Sequence, residues 1–101
     1  MHKVIALYRK PEDPAAFDKH YFEIHTPLAM KMPGLRRMEV ARLTTTQTGA
    51  EAPYYLVAEM YFDSAETARA AFASPEGKAA GKDVMSFAGK LITMMHADIL
   101  E

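Results

Sequence analysis

The chain has 101 residues, half of them apolar and a quarter charged, with a formal net charge of −1. That length suits one domain, which buries only about 60–70% of the surface its unfolded chain exposes. Near-neutral charge without a basic block excludes an electrostatic case for nucleic acid or an anionic membrane, and the absence of cysteine excludes disulfides, a thiolate nucleophile and a Cys-type zinc site.

The N-terminal run Met1 to Leu7 meets Arg9 and Lys10 too soon for a secretory core, and no apolar stretch approaches the roughly 20 residues of a spanning helix. A cytoplasmic protein is expected. Lys3 to Tyr8 is β-branched and apolar and reads as a strand. Asp13 then offers an N-cap with Pro14 at the first helical position. Phe17, Tyr21, Ile24 and Leu28 recur at helical spacing and should share one buried face. Pro27 interrupts this pattern. It cannot donate to the Glu23 carbonyl and disfavours helical angles at Thr26, so a break is expected near His25–Thr26, followed by a further turn to Lys31.

Pro33-Gly34 signals a turn, and Leu35 to Thr45 reads as a charged second strand suited to an edge. Thr46 to Pro53 is a polar loop. Tyr54 to Phe62 is apolar on both alternating faces, which calls for cover on both sides of the sheet. Asp63-Ser64-Ala65-Glu66 resembles a capping box opening a helix to Ala73. Ser74-Pro75 starts another, with Ala80, Val84 and Phe87 as its buried stripe. Lys90 to Leu100 is the last strand. No repeat, low-complexity segment or linker divides residues 1–101, so one domain is expected. The order βαββαβ is that of the ferredoxin-like α+β fold, a four-stranded antiparallel sheet with helices on one face. The bare face needs a partner, and a two-fold homodimer with sheets face to face is the simplest solution.

The chemistry concentrates in His20-Tyr21-Phe22-Glu23-Ile24-His25-Thr26-Pro27-Leu28. His25 lies at the expected kink, where an imidazole titrating near pH 6.5 serves as acid or base, or simply satisfies backbone groups freed by the proline. His20 sits at the edge of the same face. Tyr8, Tyr21, Tyr55 and Tyr61 can pack in the core or line a pocket and donate a hydroxyl. Glu59 is a carboxylate inside an apolar strand and must be paired or protonated; Arg36, Arg37 and Arg42 are the candidate partners. His2 and His96 lie on strands near the chain ends, and a metal or haem site is conceivable only if the fold joins them to His25. Eight methionines serve either as adaptable core filling or as a plastic apolar pocket. No phosphate loop, nucleophile elbow or dinucleotide fingerprint occurs, which argues against nucleotide-dependent and classical serine hydrolase chemistry.

The block His20 to Ala29 with Met32-Pro33-Gly34-Leu35-Arg36-Arg37, then Ala58 to Ser64 and Ser74 to Ala80, resembles the EthD family, named for ethyl tert-butyl ether degradation. The resemblance implies a dimeric α/β barrel in which two ferredoxin-like sheets face each other. It implies an oxidoreductase-associated catabolic enzyme acting on a small apolar organic molecule between sheet and helices. Carried over by position, it places His25 at that pocket. His25 is then the candidate general acid/base with Tyr21 beside it, and Tyr8, His20, Leu28, Tyr61 and Glu59 are candidate substrate-binding residues. No cofactor or metal is expected, with haem as a minor alternative. The rival readings are a non-catalytic accessory dimer that carries a small molecule for a partner oxygenase, and a cofactor-free cyclase or isomerase.

Overall fold

The computed structural model describes residues 1–100. Its elements run β1 (His2–Tyr8), α1 (Pro14–His20), a π-helical turn (Tyr21–His25), α2 (Thr26–Ala29), β2 (Arg37–Arg42), β3 (Leu56–Phe62), α3 (Ala65–Ala73), α4 (Pro75–Ala88) and β4 (Ile92–Asp98). The strands form one sheet in the order β2-β3-β1-β4, with every neighbouring pair antiparallel. This is the ferredoxin-like α+β arrangement. None of the described helices is long and apolar enough to cross a membrane.

Alternation decides the two faces. His2, Val4, Ala6 and Tyr8 of β1 and Leu56, Ala58, Met60 and Phe62 of β3 are buried. All of these but His2 join Phe17, Tyr21, Ala29, Ala80 and Val84 in one core between sheet and helices. Lys3, Ile5 and Leu7 alternate with them, opposite Tyr61, Glu59 and Val57 of β3, on the face that carries no helix. β1 begins one residue earlier than read, at His2, whereas β2, β3 and β4 are shorter than their composition suggests. β2 ends at Arg42, because the chain beyond it makes only an isolated bridge between Thr45 and Glu51.

The largest departure from the sequence pattern lies around Pro27. No break occurs: His25 and Thr26 keep right-handed helical angles (φ −69°, ψ −48° and φ −57°, ψ −46°). The helix widens instead. The Thr26 amide donates to the Tyr21 carbonyl five residues back. The wider turn relieves the clash that a proline ring imposes on an α-helical ladder, and Pro27 falls in the first turn of α2, where its missing N–H costs little. The same widening resets the buried face. Phe17, Tyr21, His25 and Ala29 point inward at a constant spacing of four, whereas Ile24, expected in the stripe, is exposed. Leu28 is half-buried against the core.

Serines set the later helix starts. Ser64 caps α3 by accepting from the Thr67 amide at 3.1 Å, so the cap is one residue later than the capping box read around Asp63. Ser74 ends α3 and begins α4 at once: its hydroxyl donates to the Ala71 carbonyl and accepts from the Gly77 amide. This corner brings α4 down across α1, the π turn and the sheet, and so sets the roof of the site.

Candidate functional site

The π turn delivers the His25 ring to the interior. His25 is 8% exposed. Its Nδ1 lies 3.1 Å from Oδ2 of Asp83 on α4, and His20 reaches the other oxygen of the same carboxylate, Nε2 to Oδ1 at 2.9 Å. An ionised carboxylate only accepts, so both imidazoles donate to it. For neutral His25 this fixes the proton on Nδ1 and leaves the Nε2 lone pair free. Burial lowers the His25 pKa from 6.5; the bond and charge of Asp83 oppose that, and His20 adds to it. Burial prevails, and the ring is a neutral base near pH 7.

His25 forms part of the wall of a cavity of about 70 Å³ between helices and sheet, lined also by Ala6, Tyr8, Ala29, Met32, Met60, Phe72, Ala80, Gly81, Val84, Ile92 and Met94. Apart from His25 and the Tyr8 hydroxyl, these side chains offer no hydrogen-bonding group. Tyr21 packs between Tyr8 and His25, with ring centroids 5.5 and 5.4 Å away. Burial pushes the Tyr21 phenol up to about 12 and drives the Tyr8 phenol further upward still, with Tyr21 adding to the effect. Both phenols therefore remain protonated donors.

The candidate residues fall into two groups. His25, Tyr8, Tyr21 and His20 converge on one end of the sheet. Tyr8 and His25 line the cavity, Tyr21 backs them, and His20 holds Asp83 from outside while its ring lies 4.2 Å from that of Phe87. Leu28 packs against the core beside them. Glu59 and Tyr61 sit on the opposite, helix-free face and do not reach the cavity. The Glu59 carboxylate is paired with Lys3 at 2.8 Å, not with an arginine. The arginines are engaged elsewhere: Arg36 with Asp63, Arg37 with Glu39, and Arg42 with Asp18 and the Tyr55 hydroxyl. Tyr61 donates to Glu39 at 3.3 Å.

His2 and His96 do come together, Nε2 to Nδ1 at 2.9 Å, with Asp98 on His2 Nδ1 at 3.0 Å. They lie at the Phe62 end of β1, whereas His25 lies at the Tyr8 end, so the three histidines do not form one site. Among the described residues, no group of three or more His, Asp and Glu side chains is placed to hold a metal ion.

Asp83 is the residue that sequence reasoning missed. Its partners are 63 and 58 residues away. The available signal is an acid between Ala80 and Phe87, one position from Val84, at the edge of an otherwise apolar stripe.

Known proteins share both the sequence and the architecture of this chain. The model of the EthD domain matches residues 9–90. A structure of an EthD family protein from Bacillus halodurans superposes with a TM-score of 0.94 at 51% identity, covering 99% of each chain. An uncharacterized 11.0 kDa protein from the thcB-thcC intergenic region of Rhodococcus erythropolis is 40% identical over 98 residues, covering 97% of this chain and 94% of its own. The hydroxynitrile lyase of Passiflora edulis shares the fold at a TM-score of 0.79 and 17% identity, covering 99% of this chain and 94% of its own. A dimeric ferredoxin-like protein of unknown function from Thermobifida fusca does so at 0.70 and 16%, covering 97% and 90%. These last two likenesses establish the fold alone. The match of the family model and the end-to-end alignment of close relatives show that the chain belongs to the EthD family.

Proposed function

We propose that this protein is an acid–base enzyme acting on a small, largely apolar organic molecule, and that it works as a homodimer. One observation carries the reading: the wall of an otherwise apolar cavity carries an imidazole whose Nδ1 is held by a carboxylate. A buried histidine held only for packing would be satisfied by the carboxylate alone and would not need its other ring nitrogen on the wall of a cavity. A base needs that arrangement, because the carboxylate fixes the tautomer and stabilises the imidazolium formed when Nε2 takes a proton.

The chemistry that follows is proton transfer. Nε2 of His25 removes a proton from a carbon next to a carbonyl, and the C–H electrons move into an enolate. The protonated Tyr8 phenol donates to the developing oxyanion, with Tyr21 packed behind it. Return of the proton to another carbon completes an isomerisation or sets up ring closure. The family's association with oxidative degradation supports a catabolic substrate. Tyr8 and His25 act on substrate in this reading, Tyr21 packs behind both, Leu28 packs against the core, His20 holds Asp83, and Glu59 and Tyr61 belong to the dimer face.

The test is turnover of a panel of small apolar carbonyl compounds, followed by proton NMR in heavy water. His25→Ala should lose about 10²–10⁴-fold of the wild-type rate. Equal rates would remove His25 from the mechanism. Binding by both proteins with turnover by neither would identify a ligand-carrying accessory protein instead.

A further inference from the structure

The cavity is too small for its ligand. Pockets that enclose a whole small-molecule ligand measure roughly 300–1,000 Å³, against about 70 Å³ here. A molecule whose reactive head reaches His25 must therefore extend outward. The lining residues show where. Ala6, Tyr8, His25, Ala29, Met32, Met60, Ala80 and Val84 are buried, whereas Phe72, Gly81 and Ile92 are half-exposed and Met94 is exposed. The opening lies between α4 and the edge strand β4.

Gly81 stands in that opening, inside α4, where glycine is less favourable than alanine. Packing does not require it. The other interior glycine of this helix, Gly77, is forced: a Cβ there would meet the Ala71 carbonyl oxygen at 2.1 Å and the Phe72 backbone at 2.7 Å. A Cβ at position 81 would meet nothing within 4 Å. The helix forgoes stability at a position whose Cβ would meet only open space, and that position lies on the rim of the cavity. Beyond it, Met85, one turn further along α4, is 64% exposed, and Met94 on β4 is 43% exposed. Methionine is the apolar side chain best able to adapt to varied shapes.

We propose that Gly81 is the specificity-determining position of this site: its missing side chain admits ligands in which a compact carbonyl head bears a long, unbranched apolar tail. The tail lies across the Gly81 Cα toward Met85 and Met94. This inference rests on the cavity being a ligand site, and the experiment separates the two.

Acetone, methyl butyl ketone and methyl heptyl ketone are titrated into wild type, Gly81→Ala and Gly81→Leu, with affinity from calorimetry and site occupancy from the ring signals of His25. In wild type the affinity rises along the series by roughly tenfold for every two methylenes buried. In Gly81→Leu, methyl heptyl ketone loses tenfold or more relative to acetone, and Gly81→Ala falls between. Both variants melt at or above the wild-type temperature, because each residue is a better helix former than glycine. Equal binding of methyl heptyl ketone by wild type and Gly81→Leu would overturn the role of Gly81 and leave the cavity reading intact. A lowered melting temperature of Gly81→Ala would reveal a packing role and likewise overturn it. Ketones that leave the His25 signals of wild type unmoved would overturn both.

Discussion

Asp83 serves two imidazoles with one carboxylate, which makes it the residue with the most specific consequence when altered. Asn in its place keeps the shape but offers one carbonyl oxygen and an amide donor. The donor would face a ring nitrogen that carries its own hydrogen, so either His20 or His25 must change tautomer or lose its bond. Asp83→Asn should lower turnover by about 10²-fold or more and move the pH–rate profile, with the fold and ligand binding retained. A rate effect without any shift of the profile would reduce Asp83 to packing. The pH dependence of stability has a definite sign. His25 is lowered below 6.5 in the native state, so as pH falls the unfolded chain takes up this proton first. The contribution of the neutral ring is complete above about pH 6.5 and is lost through the window from there down to the native value. Melting temperature should fall across that window, and His25→Phe should flatten the curve. His25 is legible in the sequence as a candidate because an imidazole beside a proline kink is unusual. Its inward direction is not: periodicity assigns the buried position to Ile24. Asp83 shows there only as an acid at the edge of the α4 stripe, because hydrogen bonds between distant helices leave no trace of which residues they join.

The π turn explains that error at the scale of the element. Sequence spacing assumes a fixed period, and a turn that holds one extra residue changes the period without any compositional mark. Pro27 is the visible sign, but a proline is equally compatible with a break, a kink or a widened turn. Removing the exposed Ile24 would restore ordinary α-helical spacing, with Tyr21 and His25 three apart and Tyr21 and Ala29 seven apart. Combined with Pro27→Ala, which removes the ring clash that the wide turn otherwise relieves, the deletion variant should fold and melt near wild type while losing the His25–Asp83 bond and with it turnover. A fully active deletion variant would show that the wide turn has no part in aiming the ring. The α3–α4 corner is more legible, because Ser-Pro is a strong start signal and Ser74 does cap the helix. Gly77→Ala places a methyl group against the Ala71 carbonyl and should destabilise the protein by about 1–3 kcal/mol in urea unfolding, the opposite sign from the change at Gly81.

The whole molecule measures 37 × 33 × 19 Å, a slab of one helical layer on one sheet, and its broad helix-free face is the remaining question. The need for cover on both sides of β3 is legible from a strand without a polar face. What covers the second side is not, because the pattern records burial and not the partner. Across this face Leu7 lies opposite Val57, and Ile5 opposite both Glu59 and Met95, so the two central strands present apolar side chains interrupted by Glu59. Charge lies among them. Glu39 faces Glu59 directly across the β2–β3 ladder, a like-charge pair that is unfavourable unless neutralised. Lys3 answers Glu59, while Arg37 and the Tyr61 hydroxyl answer Glu39. Apolar side chains interspersed with compensated charges make a surface that a protein partner can cover. In the proposed homodimer a second copy would supply the matching surface by two-fold symmetry. The cavity opens on the other side of the sheet, so pairing through this face leaves it free. Val57→Arg puts a charge in the middle of the proposed contact. Light scattering should then read a monomer where wild type reads a dimer. The melting temperature of wild type, but not of the variant, should rise with protein concentration. Ligand binding at His25 should survive in the variant, since no residue of the helix-free face lines the cavity. A wild-type monomer at micromolar concentration, or a Val57→Arg dimer of unchanged stability, would mean that this face is covered by something other than a second copy of the chain.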